Sequence, residues 1–233
     1  MLTTIHTIRM GFDQVYLLVA DGAILVDAGA PKKIHLLEKG LSQAGVPPAD
    51  VRLAVLTHGH WDHIGSAKAI RHLTGAKIAL HFKDAHLLKQ GLVHLSPGVV
   101  PWGKLFMRVH QFFMPLIRIE PCDVDILISD EGMNLNEYGI PGRVVYTPGH
   151  THGSVSVLLD SGEAFVGDLA MNRFPLRLSP GEPIFAVDQE QVRASWRKLM
   201  EAGARMFYPA HGKAFPVSDR TVEAKGSGPE FRN

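Results

Sequence analysis

Only one cysteine, Cys122, occurs in 233 residues. No disulfide can form within the chain, its stability has to come from a packed core, and a reducing cytoplasm is the expected location. Neither sign of charge dominates, with 24 Lys and Arg against 23 Asp and Glu. No run of Lys and Arg occurs either, so the electrostatic signature of a nucleic-acid partner is missing. Long apolar runs are also scarce. The most apolar stretch, 99–119, is interrupted by Pro101, Lys104, Arg108, His110, Gln111, Pro115 and Arg118, which excludes stable membrane insertion as an expectation. Met1 to His6 has no basic stretch followed by an apolar core, so a signal peptide is not expected there.

What is present is ordinary globular material, 45% hydrophobic and 20% charged, long enough for one domain with a substantial core. A single domain over 1–224 with a loose polar tail at 225–233 is the expected organisation. Val15 to Ala20 and Ala23 to Val26 flank Asp21-Gly22, a dipeptide whose glycine can take a positive φ, and read as a hairpin. Pro31 suits a first helical residue, and Ile34, Leu37, Leu41 and Ala44 follow at helical spacing until Gly45. Leu53 to Leu56 and Lys77 to Leu80 read as strands, with a helix over Ile64 to Leu73 between them. Further strands are predicted at Asp125 to Ile128, Arg143 to Thr147, Ser154 to Leu159, Glu163 to Val166 and Met206 to Tyr208. A helix from Asp188 to Ala202 has Asp188 as its N-cap and Gln191 in capping-box position. Strands dominate both halves and each half carries helices, which points to two packed sheets with helices outside.

The segment 82–123 breaks this rhythm. It is rich in Phe, Met and Leu and punctuated by Ser96-Pro97-Gly98 and Pro101-Trp102-Gly103. It reads as an apolar helical insertion, either a satellite packed on the core, a lid, or a surface for a homodimer.

Chemistry gathers at strand ends. "THGHWDH", Thr57 to His63, follows an apolar strand; His150, Asp168 and His211 each follow another. Loops held by rigid strands are where sites are commonly built. In an extended segment His58 and His60 point the same way and can share an ion, while Asp62-His63 turns into the next helix and faces elsewhere. One ion needs three or four protein ligands. Five histidines and two aspartates suit two ions: His58, His60 and His150 for one, Asp62, His63 and His211 for the other, with Asp168 bridging.

These motifs, H-x-H-x-D-H at 58–63, "TPGHTHGS" at 147–154, "VGD" ending at Asp168, "PAHG" around His211 and "LVDAG" at 25–29, resemble those of the metallo-β-lactamase fold superfamily, in its glyoxalase II-like branch. The resemblance implies an α+β fold, a four-layer αββα sandwich of two mixed sheets with a dinuclear site at one edge. It also implies a hydrolase in which a metal-bridging hydroxide, generated at neutral pH, opens an ester, thioester or lactone-type bond of a small molecule, with Asp62 orienting it and accepting its proton. The ions are expected to be zinc, with iron or manganese as alternatives for this imidazole and carboxylate set. Little chain follows His211, so no glutathione-binding helical domain is expected. Met171 stands where lactonases of the superfamily commonly place a tyrosine, and His152 lies two residues past His150; both are candidates for substrate contact. The rival reading within the same ligand set is a mononuclear iron oxidoreductase like the persulfide dioxygenases, and a third is a non-catalytic binding protein.

Overall fold

The structure, a computed structural model, describes residues 2–218; the tail expected at 225–233 lies outside them. One sheet holds β1 (Thr4–Arg9), β2 (Gln14–Val19), β3 (Ala23–Val26), β4 (Val51–Val55), β5 (Lys77–His81) and β6 (Ile126–Ile128), side by side in chain order. The first three pair antiparallel through tight connections. From β3 to β6 the pairing is parallel, so each link has to cross over and carries helices: α1 (Ile34–Ala44) before β4, and α2 (Trp61–Ile64) with α3 (Ala67–Thr74) before β5. Before β6 come α4 (Ala85–Gln90) and α5 (Pro101–Phe113). The second sheet contains β7 (Met133–Asn134), β8 (Gly142–Tyr146), β9 (Val155–Leu159), β10 (Glu163–Met171), β11 (Met206–His211) and β12 (Phe215–Pro216). Only β10 and β11 are parallel in it, and α6 (Gln189–Glu201) makes their crossover.

Period-two alternation sorts the side chains into layers. Leu17, Leu25, Ala54 and Ile78 pack with Leu37 and Leu41 of α1 and Ile70 of α3. Their neighbours Leu18, Ile24, Leu53, Val55 and Ala79 meet Val144, Val155, Val157 and Phe165 of the other sheet. Leu158, Ala164 and Phe207 then pack on Val192, Trp196 and Leu199 of α6. Three apolar interfaces make four layers, helix, sheet, sheet, helix, which is the architecture the sequence implied. Deleting most of one such side chain, as in Leu18→Ala, costs about 2–5 kcal/mol.

Several local expectations are corrected. Gly22 does not take a positive φ; it is needed because a Cβ there would lie 2.2 Å from the Tyr138 carbonyl oxygen. The first helix begins at Ile34, not at Pro31. The helix expected over 64–73 is two helices broken at Gly65-Ser66, where a Cβ on Gly65 would lie 2.4 Å from Pro31 and Ser66 Oγ donates to the Ala30 carbonyl. Strand β10 runs on past Val166 through two register shifts, so Asp168 lies within the strand. Part of the apolar segment 82–123 belongs to the core: Leu87, Leu88, Ile119 and Cys122 are buried with the first sheet, and between them Val100 and Phe106 pack against Ile184 and Leu176. Asp188 caps α6 through Glu190 N and Gln191 N. Its own N–H is taken by the Gly149 carbonyl at 3.0 Å, which ties the helix start to the loop before His150.

Candidate metal centre

Five chain segments converge at one edge of the sandwich. The loop after β4 carries His58 and His60, α2 carries Asp62 and His63, and the loop after β8 carries His150. Asp168 comes from β10 and His211 from the last residue of β11. Two groups result, His58, His60, His150 and Asp168, and Asp62, His63 and His211, each with its donor atoms within 4.8 Å of one another. All seven residues proposed from the sequence are therefore brought together.

In the first group three ring nitrogens face each other. His60 Nδ1 is 3.0 Å from His58 Nε2 and 2.9 Å from His150 Nε2, and the last two are 3.2 Å apart. The outward nitrogens have partners. His150 Nδ1 donates to the Phe185 carbonyl at 2.8 Å, which leaves Nε2 a lone pair. His58 Nδ1 meets Thr57 Oγ1 at 3.1 Å. His60 turns Nε2 to Ser96, whose Oγ is 3.2 Å and backbone N 3.0 Å away. Ser96 N–H donates to His60 Nε2, so in the neutral ring the proton lies on Nδ1, the atom facing His58 and His150, and the rings of those two supply the inward lone pairs. Burial holds His58, His60 and His150 below their usual range, with the neighbouring imidazoles adding to the effect at His58 and His60. Three neutral imidazoles, with the His58 and His150 lone pairs turned inward, form a candidate cation site.

The second group is charged. His211 Nε2 lies 3.2 Å from Asp62 Oδ2, and His63 Nε2 lies 3.9 Å from the same oxygen. Burial opposes charge on both histidines, but the carboxylates outweigh it. His211 is raised to about 9 by Asp168 and Asp62, and His63 is held well above its usual value by Asp27, Asp168 and Asp62. Burial works against ionised Asp62 too, yet His63 and His211 bring it down to about 2. Asp168 stands between the groups: Oδ1 is 3.3 Å from both His63 Nε2 and His211 Nε2, and Oδ2 is 3.6 Å from His150 Nε2. Two atoms here, His63 Nε2 and Asp168 Oδ1, are buried with no hydrogen-bond partner. They face each other at 3.3 Å as an ion pair without hydrogen-bond geometry, and cations held by these groups would satisfy both, so the donor set fits a metal centre.

Residues the sequence reading passed over hold these ligands. Asp27, in the "LVDAG" stretch, sits at φ 68°, a conformation costly for any residue but glycine. From there its carboxylate accepts from Thr57 N at 2.7 Å and Thr57 Oγ1 at 2.8 Å and meets His63 Nδ1 at 2.9 Å. Asp84 Oδ2 accepts from Gly59 N at 2.9 Å and Thr151 Oγ1 at 2.7 Å, tying the first ligand loop to the His150 loop. Both aspartates follow strands of the parallel run, β3 and β5, so the strand-end reading extended to acids would have found them. Asp13, buried with Oδ2 unpartnered, is raised to about 6 by burial and by Asp62.

Two candidates fall outside the centre. Met171 is fully buried in a separate apolar cluster with Leu176 and Ile184, because β10 continues past Asp168 and turns its side chain inward. His152 is exposed, and its carbonyl accepts from the Tyr146 hydroxyl. Neither lines the cavity over the centre. That cavity, about 70 Å³, is floored by His60, Asp62, Asp168 and His211 and walled by Phe12, Leu95, Phe106, Leu176 and Phe185.

A family model described as "Metallo-beta-lactamase superfamily" matches residues 10–211, and the chain belongs to that superfamily. It is 30% identical over 192 residues to a Drosophila melanogaster protein named beta-lactamase-like protein 2 homolog, covering 81% of this chain but 54% of that protein. It thus spans about half the length of that relative. A probable metallo-hydrolase of Methanocaldococcus jannaschii is 26% identical over 219 residues, with 88% of each chain covered. In fold it is similar to the crystal structure of a metallo-beta-lactamase family protein from Thermus thermophilus, with a TM-score of 0.66 and 20% identity over 95% of this chain and 77% of that one.

Proposed function

We propose that this chain is a hydrolase working with two divalent ions, zinc in the first instance, on an ester, thioester or lactone-type bond of a small-molecule substrate. The observation that supports the reading is Asp168, whose two carboxylate oxygens face the two ligand groups, while His63 Nε2 and Asp168 Oδ1 face each other buried at 3.3 Å with neither making a hydrogen bond. A pair of ions bound there lowers the pKa of a water toward neutrality and supplies positive charge to a developing oxyanion.

The chain's own groups do the rest. His58, His60 and His150 contribute neutral donors and Asp62 and Asp168 contribute two negative charges, so a doubly occupied centre keeps net positive charge for an oxyanion. Asp62 is the most accessible of the seven, with 17% of its side chain exposed, and it borders the cavity. Its carboxylate, near 2, is ionised at neutral pH and suited to orienting a nucleophilic water and receiving its proton in passing. Phe12, Leu95 and Phe185 keep bulk water off the site, which strengthens every charge interaction inside it. The mononuclear oxidoreductase reading uses one ligand group and leaves the other without a role; both groups being complete favours two ions.

His60→Ala and Asp62→Ala should each lower turnover on a panel of an ester, a thioester and a lactone by on the order of a hundredfold to a thousandfold, with melting behaviour retained. Full activity on that panel in both variants would overturn the proposal, as would oxygen uptake with one iron per chain.

A further inference from the structure

Helix α5 has two apolar faces, and the fold uses one. Gly103 is buried against Ile184, where a Cβ would lie 2.4 Å from the Ile184 carbonyl oxygen, and the Phe106 ring lies 5.7 Å from Phe185. Phe185 in turn accepts from His150 Nδ1, so this inner face leans on the metal centre. The opposite stripe is open to solvent: Trp102 46%, Leu105 53%, Val109 57%, Phe112 80% and, just past the helix, Leu116 77% exposed. These positions recur at intervals of three and four and so lie on one side of a helix. A contiguous stripe of this kind marks an interaction surface.

The charge around the stripe is one-sided. Between Asp84 and Glu120 no acidic residue occurs, while Lys89, Lys104, Arg108 and Arg118 do, in a chain whose acids and bases otherwise nearly balance. Lys104 and Arg108, both exposed, are one helical turn apart and flank one edge of the stripe. Two copies meeting through this face would set like charges together with no carboxylate on the segment to answer them. An apolar stripe with an aromatic at one end and a cationic border is instead complementary to an anionic lipid surface.

We propose that the outer face of α5 docks the protein peripherally on anionic membranes. The apolar residues lie among the acyl chains, and Lys104 and Arg108 lie at the headgroups. No helix among the described residues is long and apolar enough to cross a membrane, so the attachment is superficial and reversible. The surface stands apart from the chemistry of the metal centre and can fail or hold without it.

Co-sedimentation of the full chain with vesicles of equal parts phosphatidylcholine and phosphatidylglycerol tests this. The wild type should pellet with these vesicles, about tenfold more weakly with pure phosphatidylcholine, and should be released by half-molar salt. The double substitution Leu105→Glu with Phe112→Glu should abolish pelleting while metal content and melting temperature stay as in the wild type. Lys104→Glu with Arg108→Glu should remove the preference for anionic vesicles. Wild-type protein that stays in the supernatant with both vesicle types would overturn the proposal. So would a concentration-dependent dimer that Phe112→Glu dissolves in a protein showing no vesicle binding, since the face would then belong to a second copy.

Discussion

The two halves of the metal centre are made from different chemistry and reach readiness by opposite routes. Around His58, His60 and His150, burial and mutual repulsion strip the rings of protons before any cation arrives. Around Asp62, His63 and His211, the carboxylates keep the rings protonated, so a cation has to displace protons there. One half is a cluster of neutral rings and the other a set of ion pairs; Asp84 ties the loops of the first, while Asp27 meets His63 of the second and also holds Thr57 against His58 of the first. The lesson is that a cluster of seven ligands need not titrate as one object.

Asp168 is where the difference should vanish. Because it touches both halves, Asp168→Ala should weaken both ions together and lower turnover by on the order of a thousandfold, read by elemental analysis beside the activity panel. A variant that kept either ion at full affinity would break the bridging role. The halves should separate in His60→Ala and His211→Ala, each retaining about one ion per chain. The ion remaining in His211→Ala should bind with little dependence on pH across the neutral range, because its histidines are held below their usual range, whereas the one remaining in His60→Ala should weaken steeply as pH falls, measured by competitive chelator titration.

Smaller effects sharpen the same contrast. Asp27→Asn should cost about 10–100-fold in affinity at the second half, the usual effect of removing a group that orients a metal-binding histidine, with a smaller loss at the first half through Thr57 and His58. Asp84→Asn should do the reverse, to a lesser degree, since it holds loops and not a ring. The smallest effect is on the stability of metal-free protein. His211 has a folded value near 9 against 6.5 unfolded, so its contribution is fully present below about 6.5 and is lost as pH rises through 9. Metal-free protein should therefore melt at lower temperature at pH 9 than at pH 6.5, and His211→Ala should flatten that part of the curve.

The ligands were legible because each lies at or soon after the end of an apolar run, and because the H-x-H-x-D-H spacing has few other uses. The layered fold was legible for the same reason, in Val15 to Val26 and Leu53 to Leu56. The edges were not. β1 alternates only weakly, as Thr4-Ile5-His6-Thr7-Ile8-Arg9, and β7 and β12 are two residues each, too short for any period. Asp27 and Asp84 stayed hidden because a single acid after a strand looks like a turn residue until its partners, Thr57 and His63 or Gly59 and Thr151, arrive from elsewhere in the chain. Met171 was misplaced because strand β10 continues past Gly167, whose φ of +52° and approach to Thr57 bend the chain without ending the strand. The two-faced character of α5 needed the structure to show which stripe the core had taken.

Crystals grown with zinc and measured at the zinc absorption edge would show whether the two ligand groups each hold an ion. Two anomalous peaks per chain are expected, one among His58, His60 and His150, one among Asp62, His63 and His211, with Asp168 against both. A single peak at saturating zinc and alkaline pH, or peaks away from Asp168, would contradict the two-ion centre.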